Sequence, residues 1–308
     1  MLKNLRLLLL VLLALAALTF AACQGDDGNG NGGDDGVTNA GDTANDELFV
    51  SNATEVLTRS ASSFDSTDVT SMSGGVTFAF SMGTLAVNGS ADFAVQMPDQ
   101  MHMAMTFEGG DGQSLVDLSQ MGTFEILARD GAMYINMPIL GGWFSLSPEE
   151  LGASFTGVQD LMAQGSVFDY AGFIEQLGSE VEYVGDEDVS GRQTAHYAIS
   201  GDLQSLIASF ASALGATGDN AFADQIMGSQ VSGPVTVDLW IGKEDFLPYK
   251  MTAGGEIAAG DQGALVLDLT ADFSDYNQDV TIPDAPEEAK SFTEIMGQLG
   301  LDPSSLQQ

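Results

Sequence analysis

A chain of 308 residues with 44 acidic and only 8 basic side chains has a net charge of −36, which repels phosphate backbones and excludes a nucleic-acid partner. With 44% hydrophobic residues it is also no acidic disordered tail, since it carries enough apolar material for a substantial core. One cysteine, Cys23, leaves no internal disulfide to form.

Lys3 and Arg6 precede an apolar run from Leu7 to Leu18, and Thr19 to Cys23 read "TFAAC". A charged start, a short apolar stretch and small residues before a cut describe a secretory signal; the run is shorter than the ~20 residues a membrane-spanning helix needs. Ala21 and Ala22 before Cys23 resemble the lipobox of bacterial lipoproteins, with Phe20 where Leu is more usual. The resemblance implies cleavage after residue 22 and lipid attachment at Cys23, with two or three acyl chains, enough for stable anchoring. Loss of Lys3 and Arg6 leaves six basic residues against 44 acidic ones, a net charge of about −38.

Residues 23–46 are mostly Gly, Asp and Asn and read as a tether with a root-mean-square span of roughly 25 Å. Asp27, Asn29, Asn31 and Gly32 match the first half of a calcium loop, but Thr38 stands where the closing glutamate belongs, so no calcium is expected. Residues 47–308 then read as a single domain. Phe49, Val56, Leu57 and Phe64 have helical spacing and predict an opening helix. From Gly74 the period falls to two: Val76, Phe78 and Phe80, then Leu85 and Val87, then Ala91, Phe93, Val95 and Met97. Pro98 and Asp99 turn the chain into "QMHMAMTF", residues 100–107. Short strands follow in "SLVDLS", "TFEILARDGAMYINMP" and "GWFSLS", with a hairpin turn at Asp130-Gly131.

Ser147, Pro148 and the acids behind them open a helix with Leu151, Phe155, Val158 and Met162 on one face. Phe173, Ile174 and Leu177 continue the pattern. Strands return in "EVEYVGDEDV" and "RQTAHYAIS". Leu203, Leu206, Ile207, Phe210 and Leu214 form a second helical stripe ending at Gly215. A last meander places Val235, Val237, Leu239 and Ile241 on one face and Leu265, Leu267, Leu269 and Phe273 on another; residues 286–300 read as a short closing helix.

Side chains alternate across a strand, so Met101, Met103, Met105 and Phe107 share a face and His102 points away from them. A copper site built from this segment is therefore not expected. The shared face, with Phe78, Phe80, Phe93 and Met97, is either a packed core or a hollow with flexible walls, because methionine repacks around irregular guests. His102 and His196 read as solvated strand residues. Glu182 to Gly191 read as a solvated acidic hairpin tip. Hydrolase elbows, zinc-protease motifs and phosphate loops do not occur in the sequence, so neither an enzymatic activity nor a cofactor or metal is expected.

"VTVDLWIGKEDFLPYKM", Val235 to Met251, with its alternating strand, Trp240, turn and Leu247-Pro248, resembles the LppX/LprAFG group of envelope lipoproteins, of the LolA/LolB-like half-barrel superfamily. "AMYINMP" and "GGWFSLSPEEL", from Ala132 to Leu151, add a second likeness. Trp240 and Pro248 serve equally well as structural residues. The resemblance implies an α+β fold: a curved antiparallel sheet, a half-open barrel, with amphipathic helices over its concave face. It further implies a membrane-anchored protein on the extracytoplasmic face that binds and carries or presents an acylated lipid or lipoprotein. Its apolar cavity would be lined by Phe78, Phe80, Phe93, Met97, Met101, Met103, Met105, Phe107, Leu265, Leu267 and Leu269, under a helical lid carrying Leu151, Phe155, Leu203, Ile207 and Phe210. The alternative is a sensor or scaffold module of the same fold that works through an envelope protein partner. Cys23→Ser is expected to move the protein from the membrane to the soluble fraction on ultracentrifugation; a variant that stays membrane-bound refutes lipid attachment at Cys23.

Overall fold

Val, Phe and Met alternating with Ser, Thr, Ala and Asp make strands with one apolar and one polar side, and such strands are stable only when several pair and the apolar sides are covered. The computed structural model describes residues 41–65, 69–82, 85–97, 100–109, 122–129, 131–146, 180–202, 231–259 and 264–291. Among the described residues are two helices, α1 (Gly41–Ser51) and α2 (Ala53–Asp65), and thirteen strands. These are β1 (Ser71–Met82), β2 (Leu85–Gln96), β3 (Gln100–Gly109), β4 (Phe124–Arg129), β5 (Ala132–Met137), β6 (Gly142–Leu146), β7 (Glu180–Val189), β8 (Arg192–Asp202), β9 (Val231–Ser232), β10 (Pro234–Gly242), β11 (Pro248–Ala259), β12 (Ala264–Ser274) and β13 (Lys290–Ser291).

All belong to one sheet in the order β13-β6-β5-β4-β3-β2-β1-β12-β11-β10-β8-β7, with the short β9 beside β11. The two meanders meet where β1 pairs with β12, in continuous register from Ser73 opposite Ser274 to Met82 opposite Leu265. Neighbouring strands are antiparallel except β13, which runs parallel to β6. The sheet curves but does not close: β7 and β13 are its two edges, and the fold is a half-open barrel with helices on one face.

Residues 47–64 form two helices where one was expected. The break is Asn52, whose Oδ1 accepts the Glu55 N–H at 3.2 Å and caps α2. Helix α1 also begins at Gly41, inside the segment read as tether. It is held there by Phe49, buried and stacked on Phe246 with ring centroids 5.1 Å apart, and by an ion pair of Asp46 with Lys243. The chain after β12 crosses the end of the sheet. Thr70 N–H donates to Asn277 Oδ1 at 2.7 Å, and Arg129 Nη1 donates to the Pro283 carbonyl at 2.8 Å. Of residues 286–300, read as a closing helix, 286–289 are irregular and Lys290–Ser291 pair with the edge strand β6, while 292–300 lie outside the described residues.

Two glycines set the packing of the central strands. Gly74 lies between Phe93 and Phe273 in register, and the two rings meet edge-on at 6.0 Å across it. Gly89 lies likewise between Phe78 and Phe107, whose rings also meet at 6.0 Å. A Cβ at Gly74 would run into the Phe93 ring and the Asp272 carbonyl, whereas at Gly75, on the opposite face, its nearest neighbour would be 3.7 Å away. Gly74→Ala is therefore expected to destabilise the fold by about 1–3 kcal/mol. Gly75→Ala is expected to be neutral or slightly stabilising through the unfolded chain. Urea unfolding of the two variants checks the contrast.

Candidate functional site

The inner face of the sheet is a set of side-chain rows running across the strands. One passes from Phe144 through Ile135, Ile126, Met103, Phe93 and Gly74 to Phe273. The next passes from Phe124 through Met105, Ala91, Val76, Ala271, Met251 and Leu239 to Tyr197. A third joins Phe107, Gly89, Phe78, Leu269, Ala253, Val237 and Ile199. The methionines are thus surrounded by aromatic and aliphatic groups on both sides.

Of the residues proposed from sequence, Phe78, Phe93, Met101, Met103, Met105, Phe107 and Leu269 are buried together on this face, Met103 and Met105 with 1% of their surface exposed. Phe80 and Leu267 are half-buried towards the strand ends. Met97 lies in the turn after β2, half-buried, its N–H donated to the Thr70 carbonyl at 2.9 Å. Leu265 is in register with Met82 and Ile257, and its side chain lies outside the described residues. Cys23, Leu151, Phe155, Leu203, Ile207 and Phe210 also lie outside them. The face further contains Phe144, Tyr197 and Ile199, which short-range periodicity did not single out.

Helices α1 and α2 cover part of this face through Phe49, Val56, Leu57 and Ala61, all in one cluster with the methionines. The buried Tyr197 hydroxyl donates to the Phe49 carbonyl at 2.8 Å, and burial pushes that phenol well above its usual pKa, so the proton stays in the bond.

Both histidines point to the outer face. His102 contacts Glu125 at 3.1 Å. His196 is not the solvated residue expected: it is 9% exposed, stacked on Trp240 at 4.2 Å, with Nδ1 3.0 Å from Glu187 and Nε2 2.9 Å from Asp238. Its partners come from β7 and β10, so only the folded sheet assembles them. The Trp240 indole N–H also donates to Glu187 and, more than any other contact, holds that carboxyl below its usual pKa. Lys250 rests on the same indole, its Nζ 4.7 Å from the ring centre. Trp240 is thus the centre of a structural stack. Among the described residues no group of three or more His, Cys, Asp or Glu is placed to hold a metal ion, and no helix is long and apolar enough to cross a membrane.

At the end of the sheet where α1 begins, a polar cleft of about 270 Å³ lies between the β7–β8 and β10–β11 turns, lined by Arg192, Lys243, Asp245 and Tyr249 among others. Its groups are largely committed to the fold: Lys243 Nζ lies 2.5 Å from Asp46 and 2.7 Å from Asp186, and Asp245 accepts from Tyr249 and from the Leu247 N–H.

No family model matches the chain. It is 30% identical over 157 residues to a 31.2 kDa Streptomyces griseus protein from the rplA–rplJ intergenic region, a match covering 51% of this chain and 49% of that one, so the chain spans about half the length of this curated relative. Among solved structures it is similar to LprF from Mycobacterium bovis, at 18% identity and TM-score 0.40 over 75% of this chain and 96% of that one. It is similar also to the Mycobacterium tuberculosis lipoprotein LppX, at 15% identity and TM-score 0.38 over 75% and 97%. A LolA-superfamily protein from Nitrosomonas europaea matches at 12% identity and TM-score 0.25, over 76% and 95%.

The Lys243 clasp has a pH signature. Burial would raise the Asp186 carboxyl, but hydrogen bonds from Lys243 and Tyr183 outweigh it and hold the pKa below the aspartate value. Burial would lower Lys243, and its bonds to Asp186 and Asp46 hold it above the lysine value instead. The stabilisation is therefore present above the unfolded aspartate pKa and lost as pH falls through the folded one; in alkali it is lost as pH rises through the raised lysine pKa. Lys243→Met is expected to melt below the wild type at neutral pH, with the gap closing in acid; a melting-temperature series from pH 7 to pH 2 checks this.

Proposed function

We propose that the chain is a lipoprotein anchored at the extracytoplasmic face of a membrane through Cys23, and that it carries or presents an acylated molecule on the concave face of its half-barrel. The observation that carries the reading is the β3 row, Met101, Met103, Met105 and Phe107, buried in one apolar cluster that also holds Phe78, Phe93 and the helical Val56 and Leu57. A core built for rigidity alone is better specified by branched aliphatics; thioethers on unbranched stems give way to a guest and close behind it. Each methylene moved from water contributes about 0.8 kcal/mol, so a chain of about a dozen supplies roughly 10 kcal/mol before ordering and displacement costs. Such a carrier needs no reactive group. The lipobox-like residues before Cys23 and the resemblance of Val235 to Met251 to envelope lipoproteins point the same way.

One observation favours the second reading, a module that senses or scaffolds through a protein partner: in the described conformation the inner face is closed by the chain's own side chains, Met103 and Met105 to within 1%. For a carrier, a guest has to displace some of them. Purification without detergent, followed by lipid mass spectrometry, separates the readings. A carrier yields stoichiometric acyl species, depleted at least tenfold in Met103→Glu because an unpaired carboxylate is strongly disfavoured in an apolar interior. Repeated recovery of lipid-free wild type supports the module.

A further inference from the structure

The hydroxyl residues of α1 and α2 treat their protons differently. Ser51, Thr58, Ser62 and Ser63 each donate to the carbonyl four residues back, at 2.6, 2.8, 2.9 and 2.9 Å, the usual habit of a helical hydroxyl. Ser60 does not. It is 0% exposed, and its Oγ is buried with no hydrogen-bond partner, although the Val56 carbonyl stands in the position that the other four use. Three and four residues on from Leu57 and Val56 and next to Ala61, it lies on the helical face buried in the methionine cluster. A buried hydroxyl left unpaired costs free energy, and in a native fold it calls for an explanation.

We propose that Ser60 Oγ is the polar contact of the concave site, donating to the ester carbonyl of a fatty acyl guest; the inference rests on the carrier reading above. The chemistry selects that class of guest. The neighbours of Ser60 on the buried helical face, Val56, Leu57 and Ala61, are apolar and belong to the same cluster as the sheet rows. The buried Tyr197 hydroxyl has already given its proton to Phe49. Among the described residues Ser60 Oγ is the one buried side-chain donor without a partner, and such a donor on an apolar face matches a molecule with one neutral acceptor at the head of a hydrocarbon tail. An anionic head would find its nearest cations engaged: Arg59 is bonded to Glu55 at 2.5 Å and rests over Phe246, and Lys243 is held by Asp46 and Asp186. A neutral ester also avoids the repulsion of a strongly acidic chain.

The test compares wild type and Ser60→Ala in the full chain by displacement of bound 1-aminoanthracene with two probes, methyl decanoate and undecane. Alanine is the best helix former, and it removes the orphan hydroxyl, so the variant is expected to melt at or above the wild-type temperature. Loss of one neutral hydrogen bond is expected to weaken methyl decanoate by about three- to tenfold and leave undecane unchanged. Equal weakening of both probes, or of neither, overturns the assignment, because the side chain then only fills space. A clear fall in the variant's melting temperature also overturns it, since the hydroxyl then already has a partner in the folded protein, such as water. If wild type binds neither probe, the carrier reading fails first and takes this inference with it.

Discussion

The sheet depends on two places where a glycine separates two phenylalanines across adjacent strands. At Gly74 and Gly89 the missing Cβ lets Phe93 meet Phe273, and Phe78 meet Phe107, at 6.0 Å over the backbone. Cross-strand aromatic contact over a glycine compensates for that residue's weak strand propensity and fixes register. The Phe78–Phe107 contact spans β2, and the Phe93–Phe273 contact spans β1, the strand that joins the meander β1–β6 to the meander β10–β12. A slip of one residue there would turn every apolar side chain of β1 outward. The inner rows that gather Met101, Met103 and Met105 with residues far along the chain exist because this register holds.

A second constraint is electrostatic. Basic side chains are scarce in this sequence, 8 against 44 acidic ones, and several of them join parts of the fold. Lys243 joins α1 to β7, and Arg129 ties β4 to the carbonyls of the chain that crosses the sheet end. Lys250, Arg192 and Lys290 lie over the rings of Trp240, Tyr249 and Phe144. Lys243 and Arg129 connect segments far apart in sequence, whereas Lys250 lies opposite Trp240 within the β10–β11 hairpin. The acidic surface that remains favours solubility and opposes close approach to anionic headgroups.

Strand periodicity revealed much of this fold in advance, because alternation is a local property. The common face of Met101, Met103 and Met105 and the outward turn of His102 follow from spacing alone. What was hidden depends on partners distant in sequence. Gly74 and Gly89 look like weak points until Phe273 and Phe107 are placed beside them. His196 looks solvated until Glu187 and Asp238 approach from β7 and β10. The helix break at Asn52 turns on a competition that periodicity does not weigh: the Asn52 side chain captures the Glu55 N–H and starts a new helix, while Phe49 anchors the old one.

The closed inner face and the carrier reading conflict only if the face is rigid. The groups that close it are of two kinds. Phe78, Phe93, Phe107 and Phe273 are locked over their glycines, and moving one breaks a register contact. Met101, Met103 and Met105 are unbranched thioethers with three rotatable bonds each, the side chains of this face best suited to repacking. The soft row therefore lies between fixed aromatic posts. Stiff aromatic and adaptable thioether side chains thus stand side by side on one face, a division that the proposed carrier role would use.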